Sequence, residues 1–152
     1  MASVWRSVAA TPPLVTTWSM PHSAGTVPPD GHVGTSPWPA SRAASWSVAP
    51  REIRLRTHIA DDTLNPRGFA HGGWLFTLCD ASSGALVFSH GLDCVTQNAS
   101  INYLHGGWPG DTVDIDVRAL HWGRTTIVNE VTLTNQDGRP LAVATMTMYV
   151  MH

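Results

Sequence analysis

The sequence predicts an α+β fold in which a curved antiparallel sheet wraps around one long central helix. Three observations carry this expectation. A single stretch, HGGWLFTLCDASSGALVFSH, reads as a long helix, and five other runs read as strands. The helix is apolar on nearly every side, so it must be buried on nearly every side, and five strands achieve that only by curling around it.

The first strand is the period-two run REIRLRTHI, where Ile53, Leu55, Thr57 and Ile59 alternate with Glu52, Arg54, Arg56 and His58. In the helix, Leu75, Leu78, Cys79, Ser82, Ala85 and Leu86 recur at helical spacing. Ala81, Ser82, Ser83, Gly84 and Ala85 form a belt of small residues that lets a sheet approach the helix backbone, at a propensity cost of about 1 kcal/mol for the glycine. An ordinary α+β sandwich would use the same belt to fill a tight corner. Strand-like runs follow at Val95–Leu104, Thr112–Leu120, Thr125–Thr134 and Leu141–Val150. The last two are joined by NQDGR, where Asp137-Gly138 offers the positive φ angles of a hairpin turn.

These elements lie in residues 47–152. Residues 1–46 are rich in Pro, Ser and Trp and show no helical or strand period, so a disordered extension is expected there. A targeting role and a misassigned start are the other readings. With 152 residues and 43% hydrophobic content, the chain suffices for one domain with a core.

The nine basic residues are all Arg and are scattered along the chain, which argues against a nucleic-acid surface or a polybasic membrane patch. No apolar run is long enough to span a bilayer. Cys79 and Cys94 match neither a disulfide framework nor a zinc motif, so a reducing, cytoplasmic setting is expected. His71, His105 and His121 are too far apart in sequence for a recognisable ligand motif, and no metal or cofactor is expected.

The junction NPRGFAHGGW places His-Gly-Gly directly before the helix. The first N–H groups of a helix lack intrahelical partners and lie at the positive end of its dipole. Gly72 and Gly73 leave that start uncovered, so a carbonyl oxygen could reach the N–H of either one, as an oxyanion donor. Two glycines also make an ordinary tight turn into a helix. Asp80 adds a carboxylate within an otherwise apolar helix, which is costly to bury unless it is paired or has a task.

Asn65-x-x-Gly68-x-x-His71-Gly72-Gly73, then Asp80, then GDTVDIDVRALHWGRTT, closely resembles the hotdog-fold acyl-CoA thioesterases of the phenylacetate-pathway type over about residues 48–150. The resemblance implies a hotdog fold and hydrolysis of an aryl-acetyl or medium-chain acyl-CoA to free acid and CoA. It implies that Asp80 is the general base for the attacking water, or else the nucleophile. It also implies that Asn65 orients water or thioester, that His71 positions the loop, and that Thr96 helps hold the water. Asn65 before proline is equally an ordinary loop residue, and His71 equally a helix-entry hydrogen-bonding residue.

Arg124 sits where relatives meet the coenzyme's phosphates, and His105-Gly106-Gly107 replaces the Arg-Pro of many relatives, so His105 becomes a candidate for holding the substrate. The resemblance further implies a homodimer or a dimer of dimers whose sites combine the glycine loop of one chain with the carboxylate of the other. Two other functions compete. A catalytically weak acyl-CoA-binding protein would bind without turnover, and a hydratase would need a different pairing of His and acid.

Overall fold

The computed structural model describes residues 45–152. The extension expected over residues 1–46 therefore lies almost wholly outside the described residues. Six strands and one long helix follow in the order β1 (Ser45–Ala49), β2 (Glu52–His58), α1 (Gly72–Phe88), β3 (Asp93–Tyr103), β4 (Thr112–Trp122), β5 (Thr126–Asn135) and β6 (Pro140–Met151). They form one antiparallel sheet in the order β1-β2-β4-β5-β6-β3. α1 packs against β2, β3, β4, β5 and β6, so the sheet curves around it in the expected hotdog arrangement.

The sheet has a sixth strand that the sequence pattern did not reveal. β1 opens at Ser45, so the boundary expected between residues 46 and 47 falls within this strand. The connection Pro50-Arg51 contains no Gly, Asn or Asp, and that hid the hairpin. Pro supplies the fixed φ of its first position, while Arg51 takes a φ of 65 that glycine usually fills. The Arg51 carbonyl is held there by the N–H of Ala119 at 2.9 Å.

The β5–β6 turn also differs in detail. Only Gly138 has a positive φ, at 74, and Asp137 does not. Asn135 replaces the second positive angle with side-chain bonds: its Oδ1 accepts the N–H groups of Asp137 at 3.1 Å and Arg139 at 2.9 Å.

The core lies between α1 and the concave face of the sheet. Leu75, Leu78, Cys79, Leu86 and Val87 of the helix meet Val113, Ile115 and Val117 of β4, Ile127, Val131 and Leu133 of β5, and Met146, Met148 and Val150 of β6. Ser82, Ser83 and Gly84 of the small-residue belt are buried; Asn129 of β5 donates from Nδ2 to the Ser83 carbonyl at 3.4 Å, whereas the space beside Gly84 is taken by Phe88 of the same helix. Burial is not complete all round, however. Gly73 is exposed, and Thr77, Asp80 and Ala81 are only partly covered. Asp80, on this less covered side, meets Thr96 of β3, which forms one edge of the sheet.

Behind the cavity described below, Gly107 packs into this core. A Cβ there would lie 2.5 Å from Ile59 Cδ1 and 3.2 Å from Leu141 Cδ1, both on buried side chains. Overpacking of that kind costs about 1–3 kcal/mol. Gly107→Ala should therefore lower the urea midpoint by a corresponding amount without changing the m value; an unchanged midpoint would mean that the core relaxes freely around Gly107.

Candidate active site

The loop Asn65–His71 leads into α1 through a closed set of hydrogen bonds. Asn65 Oδ1 accepts the Arg67 N–H at 2.8 Å, and the Asn65 N–H donates to the Phe69 carbonyl at 2.8 Å. Gly68 turns the chain at a φ of 84, an angle that strains any residue with a Cβ. The His71 N–H donates to the Thr63 carbonyl at 2.8 Å, tying the helix entry to the preceding turn.

His71 is the N-cap of α1, and its Nδ1 accepts the Gly73 N–H at 2.9 Å. That nitrogen must be unprotonated to accept. The bond resolves the choice between the two glycine donors. Gly73 is committed to its cap, whereas the Gly72 N–H has no hydrogen-bond partner among the described residues. Gly72 is thus the donor available to an incoming carbonyl oxygen. Neighbouring side chains also leave little room for a Cβ at either position. A Cβ on Gly73 would sit 3.1 Å from His71 Nδ1, and one on Gly72 would sit 3.3 Å from the Tyr103 ring.

A cavity of about 290 Å³ opens beside Gly72. Asn65, Phe69, Leu75, Tyr103, Leu104 and His105 contribute to its wall. Phe69 is braced edge-on by Trp108, with ring centroids 5.8 Å apart. His105 Nδ1 lies 2.7 Å from the Pro140 carbonyl, which can only accept, so Nδ1 carries the proton and Nε2 remains for another partner. Tyr103 and Phe69 were not singled out by sequence reasoning. Tyr103 lies at the end of β3, and its hydroxyl donates to the Gly72 carbonyl at 2.9 Å.

Asp80 and Thr96 meet directly. The Thr96 hydroxyl donates to Asp80 Oδ1 and lies 3.8 Å from Met148 Sδ. Asp80 is therefore a partly covered carboxylate paired with a hydroxyl, at the margin of α1 that β3 leaves open. Its charge is felt nearby. Burial, with the Asp80 charge second, pushes the Cys79 thiol up to about 12. Burial, with Asp93 and then Asp80, pushes the Cys94 thiol up to about 11. Neither thiol supplies a thiolate near neutral pH, so cysteine nucleophile chemistry has no candidate among the described residues.

Within one chain these groups form two clusters, not one. Gly72 and Asp80 are eight residues apart on α1, about 12 Å along its axis. Arg124 lies with the second cluster: it is an exposed residue of the β4–β5 turn, two residues before Thr126, which pairs with Tyr149, which in turn pairs with Val95. Tyr103 pairs with Ala142 and so stands level with Leu133, seven residues further along β5, or about 23 Å. His105 and Arg124, the two expected substrate contacts, thus occupy opposite ends of the sheet. Among the described residues no group of His, Cys, Asp and Glu is arranged to hold a metal ion, and no helix is long and apolar enough to cross a membrane.

Comparison with known proteins gives these clusters a context. The thioesterase superfamily profile matches residues 67–142, from the loop before His71 into β6. The acyl-coenzyme A thioesterase PaaI of Escherichia coli is 32% identical over 85 residues, a match covering 56% of this chain and 61% of that enzyme. A Streptococcus mutans protein solved with acetyl-CoA bound is 47% identical with a TM-score of 0.68, covering 70% of this chain and 89% of that one. A hypothetical thioesterase protein of Streptococcus pneumoniae solved with coenzyme A is 44% identical with a TM-score of 0.66, covering 70% and 89%. The pneumococcal protein has also been solved with an aspartate and, separately, a threonine replaced by alanine, at positions sixteen apart in its chain. Asp80 and Thr96 have the same separation.

Proposed function

The chain belongs to the thioesterase superfamily, and from that premise we propose that it hydrolyses acyl-CoA thioesters to a free acid and coenzyme A. The Asp80–Thr96 pair carries the proposal. A hydroxyl that donates to one carboxylate oxygen fixes the other, so that it can take a proton from water in a single orientation. The thioester carbonyl sits against the Gly72 N–H, where the helix dipole and an unused donor stabilise the tetrahedral oxyanion. His71 holds the first turn of the helix in place, and Asn65 fixes the loop in front of it. Acyl-CoA is the expected substrate because the relatives described above were solved with acetyl-CoA or coenzyme A, or are named for acyl-CoA hydrolysis. The wall of Phe69, Leu75, Tyr103 and Leu104 suits an aryl-acetyl or medium-chain acyl group.

One chain cannot bring water on Asp80 to a carbonyl held at Gly72, given their separation along the helix. A second copy solves this. Among the described residues no strand pairs with the outer edge of β3, and Val95, Tyr103 and Leu104, along and just beyond it, are about half exposed. Antiparallel pairing of two such edges about a two-fold axis brings the Thr96 end of one chain beside the Tyr103 end of the other. We therefore place each site between two chains, Gly72, Asn65 and His105 coming from one and Asp80, Thr96 and Arg124 from its partner. This is the minimal homodimer; a dimer of dimers would leave it intact.

Asp80→Asn should lower kcat by about a hundredfold or more in a folded protein, because general-base assistance is worth about 10²–10⁴. Thiol release from a panel of acyl-CoAs measures it. Near-wild-type turnover would remove the mechanism, and tight equilibrium binding with no turnover in the wild type would instead mark a catalytically weak acyl-CoA-binding protein.

Arg124→Ala should raise KM for acyl-CoA but hardly change it for the matching acyl-pantetheine, which lacks the nucleotide. A charge-assisted contact corresponds to about a ten- to hundredfold effect. Equal changes on both substrates would place Arg124 in the structural turn instead.

A further inference from the structure

β3 carries a register shift between Thr96 and Asn98, with Gln97 as the extra residue against β6. Side chains on an unbroken strand alternate faces, so residues seven apart, such as Thr96 and Tyr103, would point to opposite sides of the sheet. The bulge reverses the parity. Consequently Thr96 and Tyr103 both face α1, the first bonded to Asp80 and the second to Gly72.

The Tyr103 contact falls where α1 is weakest. Two consecutive glycines open the helix with no side chain to restrain its first residues, and the first turn contains no acidic residue. Side chains supply the missing rigidity. His71 Nδ1 holds the Gly73 N–H at 2.9 Å, Thr77 Oγ1 donates to the Gly73 carbonyl at 2.8 Å, and the Tyr103 hydroxyl donates to the Gly72 carbonyl at 2.9 Å. Of these, only the tyrosine reaches Gly72 itself: it fixes the peptide on the C-terminal side of Gly72, while the peptide that carries the Gly72 N–H is held at the His71 carbonyl by the N–H groups of Trp74 at 2.9 Å and Leu75 at 3.1 Å. Its ring also stands 3.3 Å from where a Gly72 Cβ would be, and forms part of the cavity wall.

We propose that Tyr103 is a positioning residue: its hydroxyl bond to the Gly72 carbonyl anchors the Gly72–Gly73 peptide and so fixes the Gly72 Cα, from which the N–H offered to the developing oxyanion extends, and its ring limits the acyl group the cavity accepts. This rests on the thioesterase reading. A donor preorganised for the oxyanion contributes to the transition state more than to substrate binding, so loosening it lowers kcat and leaves KM largely alone. The ring contributes to binding of the acyl group and so acts on KM.

The two roles separate in two variants. Tyr103→Phe keeps the ring and removes the hydroxyl; kcat should fall about threefold to tenfold, the range of one hydrogen bond, with KM and Tm close to wild type. Tyr103→Ala should show the same kcat loss together with a raised KM for the preferred acyl-CoA and a flatter ranking across acyl groups. Tyr149→Phe, which alters the other tyrosine, paired with Thr126 and Val95 at the far end of the sheet, is the control and should match wild type. A Tyr103→Phe enzyme with wild-type kcat overturns the proposal, as does a kcat loss that appears only with a matching fall in Tm. A wild type that hydrolyses no acyl-CoA is a different failure: it removes the thioesterase reading, and with it the reaction that Tyr103 would serve.

Discussion

An α-helix has unpaired N–H donors only in its first turn, and Asp80 lies two turns beyond the last of them. That separation governs how this molecule can work. The donor at Gly72 and the carboxylate at Asp80 share one rigid helix, so no side-chain rotation brings them together. A reaction that used the Gly72 donor and the Asp80 carboxylate at one carbonyl would have to draw them from two helices. The open β3 edge and the partly uncovered flank of α1 are the surfaces through which a second helix can approach.

The sheet prepares both halves of that arrangement on a single strand. β3 presents Thr96 to Asp80 near its start and Tyr103 to Gly72 at its end, and the extra residue at Gln97 lets both face the helix. The outer face is organised differently. There Arg56 pairs with Asp114, Arg54 with Asp116 and Arg118 with Glu130, all directly opposite across neighbouring strands. Exposed cross-strand pairs of this type add little stability, but they keep the β2-β4-β5 side of the sheet solvated. The apolar surface left exposed includes Val95, Tyr103 and Leu104, along and just beyond β3.

Much of this was legible in the sequence because it rests on strong local signals. The apolar helix, the period-two runs of β2, β5 and β6, and the His71-Gly72-Gly73 start each follow from spacing or residue type. The resemblance singled out Asp80 and Thr96 separately, the second as a residue that helps hold the water; their direct contact is what the structure adds. What was hidden depends on geometry without a residue-type signature. β1 escaped notice because Arg51, not glycine, takes the positive φ of its turn. Tyr103 escaped because a bulge has no marker in sequence, and without it the parity of β3 puts Tyr103 on the wrong face. The selection of Gly72 over Gly73 needed the rotamer of His71. The opposed positions of His105 and Arg124 needed the strand registers.

The claim that each site is shared between two chains is tested most directly by complementation. Asp80→Asn and Gly72→Val subunits, each inactive as a homodimer, are given different tags, mixed through reversible dissociation and purified as the heterodimer. A shared site predicts that the heterodimer regains thioester hydrolysis, because one of its two sites takes the intact Gly72 loop from one chain and the intact Asp80 from the other. A purified heterodimer as inactive as its parents would contradict the account, since it would mean that both lesions fall within a site built from a single chain.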